Sequence, residues 1–170
     1  MIRKRRREIP YLNPRDGIPR HLHHAWVGSR SIPEVEVECM ATWHGQAQTY
    51  LWDDTDTLRV TGPSNYPRMA PTPSHMSDIL RYFILLKCGG VWLDTDVECL
   101  RHGLLDVICN DPDIGFVFSD ELPNTPGTAF IGSIPWHPLA TKLLQAIAES
   151  DPKRWADSHV TTGPRLFAEV

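Results

Sequence analysis

A chain of 170 residues with 41% apolar and 22% charged content has room for one domain around one core, and its composition is that of a soluble globular protein. A formal net charge of -4 gives no general attraction to nucleic acid or to an anionic membrane. No apolar run is long enough to span a bilayer.

The chain opens on a basic run, Arg3, Lys4, Arg5, Arg6 and Arg7, which reads as a solvated, mobile tail. Residues 1–17 are therefore expected to be a flexible lead-in to one domain over 18–170. No apolar signal region comes after the basic start. The cysteines, Cys39, Cys88, Cys99 and Cys109, are widely spaced without a C-x-x-C pair and read as reduced, mostly buried thiols. Both features point to the cytoplasm, either free or peripheral to a membrane.

His21 to Val27 reads as a short strand ended by Gly28-Ser29. Residues 33–43 fit two patterns: Glu34-Val35-Glu36-Val37-Glu38 alternates like a strand, while Val35, Cys39, Met40 and Trp43 share a helical face. Tyr50 to Trp52 is a strand. Residues 53–73, with Pro63, Pro67, Pro71 and Pro73, read as a long loop. A helix is expected from about Ser74, capped by Ser74 itself, with Met76, Ile79, Leu80, Phe83, Ile84 and Lys87 at helical spacing. Gly89-Gly90 ends it. Val91-Trp92-Leu93 is a buried strand with Asp94-Thr95-Asp96 at its carboxyl end. Strands at Phe116–Phe118 and Ala129–Ile131 come next, then a helix at Leu139–Glu149 and the opening of another at Leu166–Glu169. Alternating strands and helices argue for an α/β layer fold, whose ligands bind beyond the carboxyl ends of the strands.

The Asp94 and Asp96 carboxylates, two positions apart on an extended chain, share one face and repel. A cation is expected beside them, and a hard divalent ion, Mn²⁺ or Mg²⁺, fits oxygen ligands that are completed by substrate phosphates. Asp78 and Arg81 lie on one face of the preceding helix. A plain surface ion pair is the alternative for these two. His21, His23 and His24 lack a fourth ligand at zinc-site spacing.

The run Ser77-Asp78-Ile79-Leu80-Arg81-Tyr82, then Gly89-Gly90-Val91-Trp92-Leu93-Asp94-Thr95-Asp96-Val97, resembles the S-D-x-x-R-Y and G-G-x-Y-x-D-x-D-V block of glycosyltransferase family 32. Ile18-Pro19-Arg20-His21-Leu22-His23-His24-Ala25-Trp26-Val27-Gly28 is similar to the family's opening segment. Phe130-Ile131-Gly132-Ser133 and Thr162-Gly163-Pro164 are similar to later ones. The resemblance implies a GT-A fold, the Rossmann-like fold of nucleotide-diphospho-sugar transferases. It also implies retaining transfer from a UDP- or GDP-sugar to a saccharide, lipid-linked or protein acceptor, in polysaccharide biosynthesis for some members. By the same resemblance, Asp94 and Asp96 hold the metal and the donor diphosphate, Asp78 and Arg81 contact the donor sugar and its phosphates, Trp26 stacks on the base, and His23 is structural or beside the donor. A core tryptophan is the alternative for Trp26.

The chain departs from this pattern in two places. Thr128-Ala129 stand where the family often has Asn. The family continues well past T-G-P, whereas the sequence stops at Val170, so the expectation is a fragment or a fold lacking part of its pocket wall. Two rival readings are a haloacid-dehalogenase-like phosphatase with Asp94 as nucleophile and a truncated, non-catalytic nucleotide-sugar-binding domain.

Overall fold

The computed structural model describes residues 16–64, 66–123, 125–151 and 155–170. The basic run Arg3–Arg7 and most of the expected lead-in lie outside these residues. In chain order the elements are β1 (His21–Ala25), α1 (Glu34–Ala41), β2 (Gln48–Trp52), α2 (Asp54–Thr61), α3 (Tyr66–Met69), α4 (Pro73–Cys88), β3 (Gly90–Leu93), α5 (Leu104–Cys109), β4 (Phe116–Leu122), β5 (Thr125–Ser133), α6 (Pro138–Glu149), α7 (Ser158–Thr161) and α8 (Pro164–Glu169).

The strands form one sheet in the order β2-β1-β3-β5-β4. β1 is parallel to β2 and β3, while β5 runs antiparallel to β3 and β4. Residue alternation along β3 divides the core. Trp92 faces a cluster built on α4 and α6 with Ile84, Leu143 and Ile147. Val91 and Leu93 face a second cluster with Leu22, Leu105 and Ile108. Helices thus cover both faces of a mixed sheet, the layered α/β arrangement expected from the sequence.

Two expectations are corrected. Residues 53–73 are not one long loop, because α2 and α3 lie within them. Asp53 caps α2, accepting the Thr55 N–H at 2.9 Å, and Asp56 forms the reciprocal half of a capping box. The acidic residues Asp54 and Asp56 thus occupy the first turn of a helix, where the helix dipole favours them. α4 is capped by Thr72 and not by Ser74. Pro73 takes the first helical position, which needs no N–H, and Thr72 Oγ1 accepts the His75 N–H at 3.4 Å. Residues 33–43 resolve as the helix α1. The cysteines are free thiols, of which Cys88 is buried and the other three half-buried.

The Gly89-Gly90 pair does more than end α4. Both residues have positive φ, 59° and 95°, and a Cβ on Gly90 would lie 2.9 Å from the His21 carbonyl and from His23 Nε2. Glycine therefore lets β3 enter the sheet against β1.

His24 is fully buried beside β3. Its Nδ1 donates to the Leu93 carbonyl at 3.0 Å, and its Nε2 has no hydrogen-bond partner among the described residues. Burial lowers its pKa from 6.5 to about 4, outweighing the hydrogen bond to Leu93 and the charge of Asp94. Between those values an unfolded chain takes up a proton that the folded chain refuses. The stability contribution is complete above pH 6.5 and is lost as pH falls toward 4. From pH 7 to pH 4.5 the loss is about 2–3 kcal/mol. Urea denaturation at the two pH values should show the wild-type difference shrinking by this amount in His24→Gln, which cannot take a proton. Equal pH dependence in both proteins would contradict it.

Candidate functional site

The parallel strands β1 and β3 end side by side, at Ala25 and Leu93. Just past their ends lies a cleft of about 600 Å³. Trp26 to Arg30 form one wall. Asp94, Thr95 and Asp96 form another, with Asp78 and Arg81 between them. This is the carboxyl-end crevice where ligands bind in α/β sheets.

The loop wall is fastened at three points. Trp26 Nε1 donates to the Arg30 carbonyl at 2.7 Å, closing the loop on itself. The Gly28 N–H reaches the Asp54 carboxylate at 2.9 Å, tying the loop to α2. Trp26 N–H donates to the Trp52 carbonyl at 2.9 Å. Trp26 itself is half-buried and lines the cleft, outside both core clusters.

Asp78 and Arg81 are not a surface pair. Their side chains are 11% and 3% exposed. Arg81 Nη1 lies 2.9 Å from Asp78 Oδ1, and Nη2 donates to Asp94 Oδ1 at 2.6 Å. Its Cζ is 5.2 Å from the centroid of the Trp92 ring, whose Nε1 donates to the same Asp94 oxygen at 2.8 Å. Asp78 Oδ2 accepts from Thr162 Oγ1 at 2.7 Å, and the Tyr82 hydroxyl donates to the Thr162 carbonyl at 2.7 Å. A continuous polar chain therefore runs from the T-G-P segment through α4 to the end of β3. Burial opposes the charge on Arg81, but Asp94 and Asp78 outweigh it, and the guanidinium holds its proton more firmly than a free arginine. Burial pushes the Asp78 carboxyl upward, against the pull of Arg81 and the Thr162 hydroxyl. The cation expected beside the aspartates is thus partly Arg81 itself.

The aspartates differ in setting. β3 stops at Leu93, and Asp94 to Val97 form a turn closed by a Val97 N–H to Asp94 carbonyl bond at 3.2 Å. The pair is therefore not on an extended strand as expected. Asp94 leans inward on Arg81 and Trp92, while Asp96 is exposed and makes no hydrogen bond or ion pair among the described residues. Both line the cleft. Among the described residues no group of three or more His, Cys, Asp or Glu could hold a metal alone. The Asp96 carboxylate and the second Asp94 oxygen remain as hard oxygen donors, so the residues fit a divalent ion whose other ligands come from substrate.

His23 lies elsewhere. It is 1% exposed, its Nε2 donates to the Gly89 carbonyl at 3.0 Å, and its Nδ1 accepts from Trp52 Nε1 at 3.2 Å. It does not line the cleft and acts as a fastener between β1, β2 and the glycine turn.

Sequence reasoning missed Arg30 and Glu36 on the cleft, as well as the Thr162 bond to Asp78. Glu36 sits in an alternating stretch that looks solvent-facing, and no local signal marks it. Thr162 belongs to the T-G-P segment, but its partner is 84 residues away.

The glycosyltransferase sugar-binding region containing the DXD motif matches residues 37–115. The mannosyl phosphorylinositol ceramide synthase CSH1 of Saccharomyces cerevisiae is 29% identical over 176 residues, covering 94% of this chain and 44% of that protein. SUR1, of the same description and yeast, is 30% identical over 167 residues, covering 90% and 41%. Inositol phosphoceramide mannosyltransferase 3 of Schizosaccharomyces pombe is 33% identical over 100 residues, covering 54% and 28%. The chain thus spans less than half the length of these curated relatives. Among solved structures, the PaToxG glycosyltransferase superposes with a TM-score of 0.68 at 18% identity, covering 91% of this chain and 68% of that one. That likeness shows the GT-A-like fold; the family match across the D-x-D turn and the mannosyl relatives, and not the fold, speak against the phosphatase reading.

Proposed function

We propose, on the premise that this chain belongs with the DXD glycosyltransferases of family 32, that it transfers a hexose from a nucleotide-diphosphate sugar to an acceptor hydroxyl, with a divalent ion at Asp94 and Asp96. Mannose is the first sugar to test, since the curated relatives are named as mannosyl enzymes. Their names also make an inositol phosphoceramide-type lipid the first acceptor to test, ahead of a polysaccharide. No helix among the described residues is long and apolar enough to cross a membrane.

The charge of the cleft carries this reading. Four carboxylates, Glu36, Asp78, Asp94 and Asp96, line it against two guanidiniums, Arg30 and Arg81, and Arg81 is already held by two of the carboxylates. A diphosphate cannot enter such a site favourably without an added cation. A bound Mn²⁺ or Mg²⁺ would supply charge to the leaving diphosphate. Arg30 is the remaining cation for the phosphates. Asp78, held by Arg81 and Thr162, presents acceptor oxygens for sugar hydroxyls. Retention at the sugar C1 is the stereochemistry the family resemblance favours, and the anomeric proton signal of the product checks it.

The deciding experiment is a panel of GDP- and UDP-hexoses with Mn²⁺, Mg²⁺ or chelator, scored for hydrolysis and for transfer. Metal-dependent release of nucleoside diphosphate supports the assignment. Nucleotide binding without turnover would favour a non-catalytic binding domain, and no nucleotide binding would overturn it.

Trp26 is the expected base platform. Trp26→Ala should weaken nucleoside diphosphate binding by about 1–3 kcal/mol, the scale of base–aromatic stacking. Nucleotide-induced quenching should fall with it. Full affinity in the variant would return Trp26 to a purely architectural role.

A further inference from the structure

Asp96 is exposed and holds no bond of its own among the described residues. Its carboxylate can serve a metal only if the backbone on either side puts it there. Residues 94–103 join β3 to α5 as neither helix nor strand, so no ladder or helical bonding fixes them. Upstream of Asp96 the hold is clear: the Asp94 N–H donates to the Ala129 carbonyl at 2.9 Å, and Arg81 and Trp92 grip the Asp94 side chain.

Downstream, the hold comes from the end of α1. Thr42 is the residue that closes this helix. Its hydroxyl donates to the Cys39 carbonyl at 2.6 Å and accepts the Cys99 N–H at 2.8 Å. It thus uses both of its bonding capacities to join segments 57 residues apart. Trp43 Nε1 donates to the Val97 carbonyl at 2.8 Å, and its ring is buried in the cluster that holds Leu105 and Ile108. Gln46 Nε2 adds a bond to Cys99 Sγ at 3.0 Å. A buried tryptophan needs some acceptor for its N–H, and here the acceptor is the residue directly after Asp96.

We infer that Thr42 and Trp43 are positioning residues for Asp96: they hold the outgoing limb of the D-x-D turn, so that the carboxylate stands beside Asp94 before an ion and a diphosphate arrive. Without these bonds, binding the ion must also order residues 95–99, and that ordering weakens it. Outer partners of metal ligands typically matter by about 10–100-fold in affinity. The inference rests on the divalent ion of the proposed function, but the hold on the turn is measurable without any metal.

The test uses four variants. Thr42→Val keeps the shape and removes the hydroxyl, and Thr42→Ser keeps the hydroxyl. Trp43→Phe keeps a buried ring and removes the N–H. Leu105→Val thins the same core cluster and touches no bond of the turn, so it controls for general destabilisation. Mn²⁺ affinity is read by electron paramagnetic resonance with saturating GDP, and again with UDP. Amide hydrogen exchange over residues 95–99 is read without metal. Thr42→Val and Trp43→Phe should each weaken Mn²⁺ by about tenfold and speed exchange in this segment. Thr42→Ser and Leu105→Val should stay close to the wild type in both. Nucleotide affinity in chelator should be the same in all five proteins. Wild-type Mn²⁺ affinity in both Thr42→Val and Trp43→Phe, an equal loss in Leu105→Val, or no rescue by Thr42→Ser would each overturn the inference. Faster exchange with unchanged Mn²⁺ affinity sinks the positioning role alone, whereas a wild type that takes up no Mn²⁺ with either nucleotide counts against the divalent ion itself.

Discussion

Arg81→Met is expected to cost about 3–5 kcal/mol of stability, the scale of removing one partner from a buried ion pair, and to abolish donor turnover. The guanidinium is 3% exposed and bridges Asp78 at 2.9 Å and Asp94 at 2.6 Å. Without it, burial leaves Asp78 uncompensated, and its carboxyl must protonate or draw in water. Asp94 is a third exposed and loses less, because water can replace the partner. Arg81→Lys should fall between, since one ammonium cannot match the two-armed fork. The informative companion is Asp78→Leu with Arg81→Met. Replacing both buried charges with apolar groups removes the penalty, and Thr162 Oγ1 keeps its bond to the Ser158 carbonyl at 3.0 Å. Most of the stability should return while turnover stays absent. Urea denaturation and nucleoside diphosphate release measure the two quantities. If Arg81→Met is as stable as the wild type, the pair does not clamp α4 to the end of β3. If the double variant regains turnover, the pair has no part in the chemistry.

Much of this site was legible from the sequence because its parts are local. The apolar run Val91-Trp92-Leu93 can only be a buried strand, and residues just past the carboxyl end of a strand in an α/β fold face the ligand crevice. Asp94 and Asp96 were therefore locatable from their place at a strand end, Trp26 only from the family resemblance, and all three line the cleft. The setting of Asp78 and Arg81 was not. Helical periodicity puts them on one face of α4, but it does not say what covers that face. Here Thr162, far along the chain, and the Trp92 ring do so. The same limit explains α2. Its helix signal is the reciprocal pairing of Asp53 and Asp56, which the nearby acidic residues and the prolines from Pro63 onward obscure. It also explains why the register shifts of β4 against β5, between Phe118 and Asp120 and between Asp120 and Leu122, were not legible, since strand register is a property of pairs of strands and not of either alone.

Asp96→Ala is expected to separate metal from architecture. Asp96 is exposed and, among the described residues, bonded to nothing, so its removal should change stability by no more than about 0.5 kcal/mol. Its carboxylate should matter once a diphosphate arrives. The cleft presents more negative than positive groups, and a divalent ion shared between Asp94, Asp96 and the phosphates is the most direct way to reverse that balance locally. Losing one of two protein ligands should therefore weaken Mn²⁺-dependent nucleoside diphosphate binding by about 100-fold or more, since several kcal/mol of charge stabilisation are at stake. Chelator should do the same to the wild type and little further to the variant. Asp96→Asn sharpens the comparison: it keeps the shape and one oxygen but loses the charge, so partial retention of affinity would assign the ligand role to the oxygen, and full loss to the charge. Calorimetric titrations with and without Mn²⁺ read all three proteins on one scale. If Asp96→Ala binds nucleotide as tightly as the wild type, in a manner indifferent to chelator, the metal assignment at this turn is wrong, and Arg30 with Arg81 must carry the diphosphate unaided.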